Sequence, residues 1–330
     1  MRKVKVAALQ PAEITFPRQY RWGHDGYTPD VDAIMKHCIL PQAEVTFGLL
    51  EEAGPAGIDI ITTCEDIALA NAYMIDTSDR NIFPEIVVRS FPILEERFSA
   101  IAKKHRMNIV ACYYKQYEGQ NYNIASVFNR NGEIIGEYRK THLPSNELFQ
   151  SAAGDSIHTI DTDIGRIGVL ICYDMMFPAA AETLSLQGAE IVFHPTFGYG
   201  WFDSIGEATL RARASDGSFY IVTSKSYCYN AAGKSSVIDY WGHVMVDAGF
   251  TQNTYAMAEI DLDKPKAQPD WHIQTGITSQ PNMRKRHEAE RRPELYTAIC
   301  EEKKEEFNIP SPGAEQAEFM EKVKSFTLHW

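Results

Sequence analysis

The chain has 330 residues, of which 44% are hydrophobic and 23% charged, and its formal net charge is -12. This composition is typical of folded globular proteins, and the acidic balance excludes a nucleic acid or an anionic membrane as partner, because both require a basic surface. The first residues lack the features of a signal peptide, and no apolar stretch is long enough to span a membrane, so we expect a cytoplasmic protein.

Predicted strands and helices alternate along the chain, which indicates an α/β fold. The runs predicted as strands are residues 4–9, 58–62, 108–113, 124–128, 134–138, 167–172, 191–194, 219–223, 236–239 and 255–260. The stretches predicted as helices are residues 42–53, 93–107, 179–187 and 207–216. The pair Asn131-Gly132 predicts a tight turn between the fourth and fifth strands.

Two segments fall outside this alternation. The irregular stretch 13–41 contains aromatics and prolines and is compatible with a lid, a surface loop or an interface. The chain becomes charged from Glu301 and ends in a stretch, 319–330, with helical character. No linker separates two halves, so we expect one domain followed by a C-terminal tail.

The cysteines and histidines show no pattern of a disulfide scaffold or a metal site. The 6 cysteines are scattered over the chain, and neither a CxxC pair nor an HExxH element occurs among them and the 10 histidines. Free thiols and no bound metal are therefore predicted.

The segment around Cys172, GVLICYDMMFP, carries the strongest chemical signal. A buried strand leads into Cys172, and a helix is predicted to begin at Pro178. Such an elbow exposes a thiol, leaves backbone N–H groups free for an oxyanion, and can lower the pKa of the thiol through the positive helix end. The plainer alternative is a small buried side chain at the end of an apolar strand, which is the commoner situation for a free cysteine.

Two charged residues also follow predicted strands. Lys140 lies in EYRKTHLPSNE, and Glu65 lies in IDIITTCED. Catalytic groups gather at the carboxyl ends of strands in α/β sheets. A lysine beside Arg139 is more often merely solvated, and an acidic residue at a strand end is more often a cap or a loop charge, so neither segment is specific alone.

Taken together, these segments resemble the nitrilase superfamily of carbon-nitrogen hydrolases, in which a Glu-Lys-Cys triad occurs in this order. The similarity covers residues 1–296 and includes the blocks VKVAALQ, YNIASVFNRNGEIIGEYRKTHLP, GVLICYD, GAEIVFHPT, RARASDGSFYIV, SSVIDYWGHVMVDAG and RRPELY. The resemblance implies a four-layer α-β-β-α sandwich over residues 1–296. It also implies at least a homodimer, with the C-terminal arm, 297–330, at the interface between subunits.

The resemblance assigns a role to each residue of the triad. Cys172 would be the nucleophile that forms a thioester, Lys140 the electrophilic cation and Glu65 the general base, with no metal or organic cofactor. Glu147 falls where the family has a second glutamate near the lysine. Asn123 looks like the family's structural asparagine.

The residues after the cysteine bear on the substrate. The pair Tyr173-Asp174 looks more like the amidase and ω-amidase branches than like true nitrilases, which tend to have Trp-Glu. The pair Met175-Met176 lacks the arginine that carbamoylases of amino acids usually place there. A primary carboxamide of a small, uncharged or weakly polar acid is therefore the first choice.

The candidate substrate-binding residues are aromatic and lie near Cys172 or after the next strand: Tyr173, Phe177, Phe197, Tyr199 and Trp201. The alternatives are a hydrolase of N-carbamoyl compounds, a nitrilase, a soluble acyltransferase that uses the same thioester, and a non-catalytic scaffold. A cysteine protease would need a histidine partner, and neither His142 nor His194 has a matching sequence context.

Overall fold

The computed structural model describes residues 1–17, 20, 30–70, 82–144, 147, 150–197, 203–227, 233–264 and 283–301. Its first sheet consists of β1 (Lys3–Gln10), β2 (Ile60–Thr62), β3 (Asn108–Tyr117), β4 (Gln120–Phe128), β5 (Ile134–Arg139) and β12 (Thr254–Asp261), in the order β12-β1-β2-β3-β4-β5. Its second sheet consists of β6 (Thr159–Thr162), β7 (Gly165–Val169), β8 (Ile191–Thr196), β9 (Tyr220–Lys225), β10 (Ser236–Ile238) and β11 (Val244–Asp247), in the order β11-β10-β9-β8-β7-β6.

Helices cover the sheets. They are α1 (Val31–Ile34), α2 (Leu40–Ala53), α3 (Ile82–His105), α4 (Pro178–Leu186), α5 (Asp203–Gly217), α6 (Met283–Glu290) and α7 (Thr297–Cys300), and a π-helical turn, Met35–Ile39, joins α1 to α2. Within the described ranges, no helix has both the length and the apolar character that crossing a bilayer requires.

Two apolar cores separate the layers. Ile109, Ala111 and Tyr113 of β3 face a core formed with α2 and α3. Val110 and Cys112 of the same strand face the other core, which is formed with the second sheet, α4 and α5. This alternation follows from the two-residue period of a strand, so each sheet buries both faces. The fold is the four-layer α-β-β-α sandwich that the sequence resemblance implied.

Each predicted strand and helix is present, but several bounds differ. Helix α3 begins at Ile82 rather than at residue 93, and Pro92 lies inside it. Proline lacks an N–H and disfavours a helical residue before it. Sequence patterns therefore predicted the start of this helix after Pro92, and the turns before Pro92 were not predicted. The predicted strand 167–172 ends at Val169, and Cys172 begins a 3-10 turn, Cys172–Met176. Strands β6 and β11 were not predicted.

The turn at Asn131-Gly132 is confirmed. Gly132 has a φ of 81° and donates its N–H to the carbonyl of Asn129 at 2.9 Å. A Cβ at this position would lie 2.4 Å from the Ser99 carbonyl oxygen of α3, so both the backbone conformation and the close approach require glycine.

The described end of the chain packs on α4. The Arg284 guanidinium of α6 donates to the Ala189 carbonyl at 2.9 Å, and Arg291 forms an ion pair with Glu182 at 2.8 Å. Most of the predicted arm, including 319–330, lies outside the described residues. The one-domain organisation and the place of the arm at an interface stay predictions, as does the function of segment 13–41.

Strand direction brings the candidate residues to one region. Strands β1, β2 and β3 are parallel, and β5 runs in the same direction because β4 is antiparallel to both β3 and β5. Strands β7, β8 and β9 are also parallel to one another. Glu65, Lys140 and Cys172 each lie just beyond the carboxyl end of a strand, namely β2, β5 and β7.

Candidate active site

A buried cluster of charges joins three of the predicted residues. Lys140 Nζ lies 2.7 Å from Glu65 Oε1 and 2.9 Å from Glu147 Oε1. The side chains of Lys140, Glu65 and Glu147 are 1%, 5% and 4% exposed. Two carboxylates and one ammonium thus share a site from which water is almost excluded. Such a site strengthens every electrostatic interaction within it.

Backbone and amide donors hold Glu65 in place. Asn123 Nδ2 donates to Glu65 Oε1 at 2.9 Å, and the backbone N–H of Phe197 donates to Glu65 Oε2 at 2.9 Å. Asn123 belongs to β4 of the first sheet, and Phe197 follows β8 of the second. Both oxygens of the carboxylate are therefore oriented, and Glu65 links the two sheets.

Lys140 extends the edge of the first sheet beyond β5. The backbone N–H of Lys140 donates to the Asn123 carbonyl at 2.9 Å, and the backbone carbonyl of Lys140 accepts the N–H of Gly154 at 2.8 Å. Burial acts to lower the pKa of Lys140, but the negative charges of Glu65 and Glu147 outweigh burial, and the pKa lies well above its ordinary value. The ammonium therefore stays charged at neutral pH.

Glu147 is the second carboxylate at the ammonium. Besides Lys140, its Oε1 accepts from the Tyr114 hydroxyl at 3.3 Å and from Asn123 Nδ2 at 3.4 Å. Burial raises the pKa of Glu147 to about 7, although the charge of Lys140 opposes this rise. A group with this pKa changes its protonation near neutral pH, which couples the charge of the cluster to pH.

Cys172 lies at a strained elbow. Its φ is 47°, a left-handed conformation that is rare for a residue with a side chain and that occurs preferentially at functional sites. The residue as a whole is partly exposed, but its thiol is buried. Since the first N–H groups of a helical turn have no partner within it, the start of the turn Cys172–Met176 presents N–H donors next to the thiol.

The pKa of the Cys172 thiol differs from the sequence expectation. Burial raises it to about 12, and the charge of Glu65 adds to the rise, whereas Lys140 and a hydrogen bond with Thr196 lower it. The expected lowering by a helix end is therefore wrong as a net effect. Removal from water and the negative charge of Glu65 outweigh the nearby positive charge, so the resting group is a neutral thiol.

The imidazole ring of His194 contacts the backbone of the elbow. Its Nε2 lies 3.2 Å from the Cys172 carbonyl oxygen, and its Nδ1 lies 2.9 Å from Thr223 Oγ1. Burial lowers the pKa of His194 to about 4, so the ring is neutral. Because a carbonyl only accepts, Nε2 carries the proton. This arrangement supports the backbone of the elbow and differs from a thiolate–imidazolium pair.

The predicted pocket residues divide into three groups. Tyr173 is 36% exposed, and its ring meets the Phe177 ring edge-on at 5.4 Å. Phe177 also stacks on His142 with ring centroids 3.8 Å apart. Phe197 reaches the site through its backbone N–H to Glu65. Tyr199 and Trp201 lie outside the described residues.

Sequence reasoning gave an incomplete account of the polar neighbours of the site. Asn123 was named as a structural residue, and it donates to both carboxylates, whereas Thr196, which binds the thiol, was not identified. Asp174 entered only as a marker of the subfamily, yet it is fully buried beside the elbow. A detectable signal was a polar residue inside an apolar strand, which applies to Asn123 and Thr196. In the described part of the chain, no group of three or more His, Cys, Asp or Glu side chains is placed to hold a metal ion.

Comparisons with known proteins identify the family of the chain. Residues 91–269 match a family model described as carbon-nitrogen hydrolase. Omega-amidase NIT2 of Homo sapiens is 30% identical over 198 residues, which cover 55% of this chain and 71% of the relative. Omega-amidase NIT2 of Mus musculus is 29% identical over 234 residues, which cover 66% and 81%.

Solved structures share the fold. A carbon-nitrogen hydrolase from Helicobacter pylori G27 aligns with a TM-score of 0.72 at 20% identity, over 91% of this chain and 99% of that one. An amidase from Nesterenkonia sp. aligns with a TM-score of 0.64 at 17% identity, over 90% and 96%.

Proposed function

Because the chain belongs to the carbon-nitrogen hydrolase family and is thus a hydrolase of non-peptide C–N bonds, we propose that its substrate is a primary carboxamide. The products would be ammonia and a carboxylic acid. The observation that carries this proposal is the buried Lys140 ammonium, held between Glu65 and Glu147 in the region where Cys172 lies. The names of the relatives, omega-amidases, support an amide rather than a nitrile.

The first step needs a base, because a thiol whose pKa is about 12 is protonated at neutral pH. Glu65 accepts the proton of Cys172 while the sulfur attacks the amide carbon. The charge that develops on the carbonyl oxygen is stabilised by the Lys140 ammonium and by the backbone N–H of Tyr173. Preorganised donors of this kind usually make the largest contribution to acyl transfer.

The second half of the cycle releases both products. As the C–N bond breaks, the nitrogen takes the proton from Glu65 and leaves as ammonia, and a thioester remains on Cys172. Glu65 then takes a proton from water, whose oxygen adds to the thioester carbon. The C–S bond breaks, the acid leaves, and the proton returns to the sulfur. Glu147 acts through Lys140 by holding the ammonium in place.

The surroundings of Cys172 favour a small acyl group without strong charge. Met175 is buried, and Met176 is 44% exposed, so the turn after the nucleophile offers thioethers where a carboxylate would need a cation. Tyr173 and Phe177 are proposed as walls of the acyl pocket. Phe197 also fits this role, since its backbone contacts the base.

We also propose a cytoplasmic homodimer or larger homo-oligomer. Cys64, Cys112, Cys172 and Cys300 form no disulfide, which fits a reducing compartment. Sedimentation at micromolar concentration tests the assembly, and a monomeric mass would contradict it.

A substrate panel tests the reaction. Amides, N-carbamoyl compounds and nitriles are incubated with the protein, and ammonia and carbon dioxide are measured together. We expect ammonia without carbon dioxide from small amides, and acid-quenched protein whose Cys172 peptide carries the mass of the acyl group. Cys172→Ala should abolish turnover, whereas Cys300→Ser, which changes an exposed cysteine, should retain it. Equal amounts of both gases would instead identify a carbamoylase, and consumption of nitriles alone a nitrilase.

A further inference from the structure

The turn after the nucleophile contains a carboxylate with no exposure to solvent, that of Asp174. Its Oδ2 accepts the Tyr138 hydroxyl at 2.8 Å and the backbone N–H of Ile171 at 2.9 Å. Its Oδ1 accepts the Thr141 hydroxyl at 2.9 Å and the backbone N–H of His142 at 2.8 Å, with His142 Nδ1 also at 2.9 Å. A buried charge is tolerated only when it is satisfied in this way.

The donors to Asp174 come from both sheets. Tyr138 belongs to β5, and Thr141 and His142 directly follow Lys140, so these donors lie on the segment that carries the cation. Ile171 directly precedes Cys172, on the segment that carries the nucleophile. One carboxylate therefore joins the two segments.

The hydrogen bonds to Asp174 differ from the apolar packing of the two sheets in how closely they fix the relative position of the two segments. The sheets pack against each other through apolar side chains, and apolar contact has no preferred direction. Hydrogen bonds to a charged oxygen are short and directional, so they determine relative position more closely than apolar packing does.

We infer that Asp174 is a positioning residue that sets the separation between the Lys140 ammonium and the Cys172 thiol. This inference rests on the proposed function, since it assigns Lys140 and Cys172 to one reaction. Asp174 acts through the backbone segments 138–142 and 171–172. A shift of about 1 Å in a catalytic group can reduce turnover about 100-fold, so the loss of this link should be visible in kcat.

The substitution Asp174→Asn tests the inference. Asparagine keeps the shape of the side chain but turns one acceptor into a donor, which then faces donors from Tyr138 and Ile171 or from Thr141 and His142. We expect kcat for amide hydrolysis to fall about 100-fold while KM changes less than about threefold. Alkylation of Cys172 by iodoacetamide, followed by mass spectrometry of its peptide, should slow about tenfold and move to higher pH.

A matched control is Asp239→Asn. Asp239 also holds a turn, since it accepts the backbone N–H of Trp241 at 2.8 Å and that of His243 at 2.9 Å, with His243 Nδ1 at 3.2 Å. This turn joins β10 to β11 in the second sheet. Its loss should leave kcat and the alkylation of Cys172 within about twofold of wild type, because surface changes away from a site have small effects.

Two milder variants cover the case in which Asp174→Asn does not fold. Tyr138→Phe and Thr141→Val each remove a hydroxyl donor and keep the carboxylate, and each should lower kcat and Cys172 alkylation in the same direction by a smaller factor. Wild-type values for both variants would overturn the inference. So would a folded Asp174→Asn protein with kcat and an alkylation profile within about threefold of wild type, because that result means a purely structural carboxylate.

The two readouts separate this inference from the proposed function. If wild-type protein hydrolyses no amide, the proposed function fails. The pH profile of Cys172 alkylation then still decides whether Asp174 controls the environment of the thiol.

Discussion

Replacing Lys140 by methionine would remove the cation from the buried cluster while retaining most of the side-chain volume. Glu65 and Glu147, which are 5% and 4% exposed, would then face each other without their shared ammonium. Removing one partner of a buried ion pair typically costs about 3–5 kcal/mol. We expect the free energy of unfolding, measured by urea denaturation at about pH 8, to fall by about that amount.

The loss should depend on pH in a defined direction. Without Lys140, which opposes the rise, burial and the charge of Glu65 raise the pKa of Glu147 further above its unfolded value, so the folded state binds more protons than the unfolded state. The stability of Lys140→Met should therefore recover as the pH falls to about 5 and decrease as the pH rises again. Wild type should show a weaker trend of the same sign, because burial already raises the pKa of Glu147 to about 7.

Two further variants define the cause. Lys140→Met/Glu147→Gln removes one charge of each sign and should regain part of the lost stability. Lys115→Met is the matched control, because Lys115 lies 2.7 Å from Glu95 and 2.8 Å from Glu137 and is 13% exposed. This control should lose less stability, since its carboxylates are more accessible to water.

Activity distinguishes the two lysines. Lys140→Met should lose amide hydrolysis by several orders of magnitude, whereas Lys115→Met should stay within about twofold of wild type. The reasoning is refuted if Lys140→Met unfolds within about 1 kcal/mol of wild type with no steeper pH dependence, or if Lys115→Met is equally inactive.

Three other predictions concern single groups. Stoichiometric iodoacetamide should label Cys172 before the exposed Cys300, with activity lost in proportion, because Glu65 can take the proton of the Cys172 thiol. Preferential labelling of Cys300 with the same loss of activity would contradict the assignment of Cys172 as the nucleophile. Glu65→Gln should reduce turnover by several orders of magnitude, and adding Cys172→Ala should cost little more because the residues act as one unit; multiplicative losses in the double variant would show separate roles. The pKa of His194, lowered to about 4 from 6.5, means that the unfolded state takes up this proton first, so the contribution of His194 to stability is complete above about pH 6.5 and is lost as the pH falls towards 4. His194→Gln should flatten this part of the curve of unfolding free energy against pH, and an unchanged slope would show that His194 is not its source.

The elements that could be predicted from the sequence are those whose structure depends on residues close to one another in the chain. The apolar run of β3 and the turn at Asn131-Gly132 are local patterns, and both match the structure. The order of Glu65, Lys140 and Cys172 within their motifs indicated the family, and the carboxyl ends of strands indicated a common region of the fold. Helix α3 was only partly predicted, because Pro92 is a local signal against a helix and packing on the first sheet overrides it.

Short edge strands had too little local signal. Strands β6 and β11 lie at the two edges of the second sheet and contain only 4 residues each. Their pairing with β7 and β10 depends on where those strands end. A window of 4 residues cannot distinguish an edge strand from a loop.

The polar environment of the site was decided by tertiary structure. Asn123 is 58 positions from Glu65 in the chain, and Phe197 is 132 positions from it, yet both donate to its carboxylate. The sign of the pKa shift of Cys172 likewise depends on burial, which is a sum over side chains from both sheets. Sequence motifs identified which groups could react, but only the packing of the two sheets determined their distances and their exclusion from water, because both are properties of residues far apart in the chain.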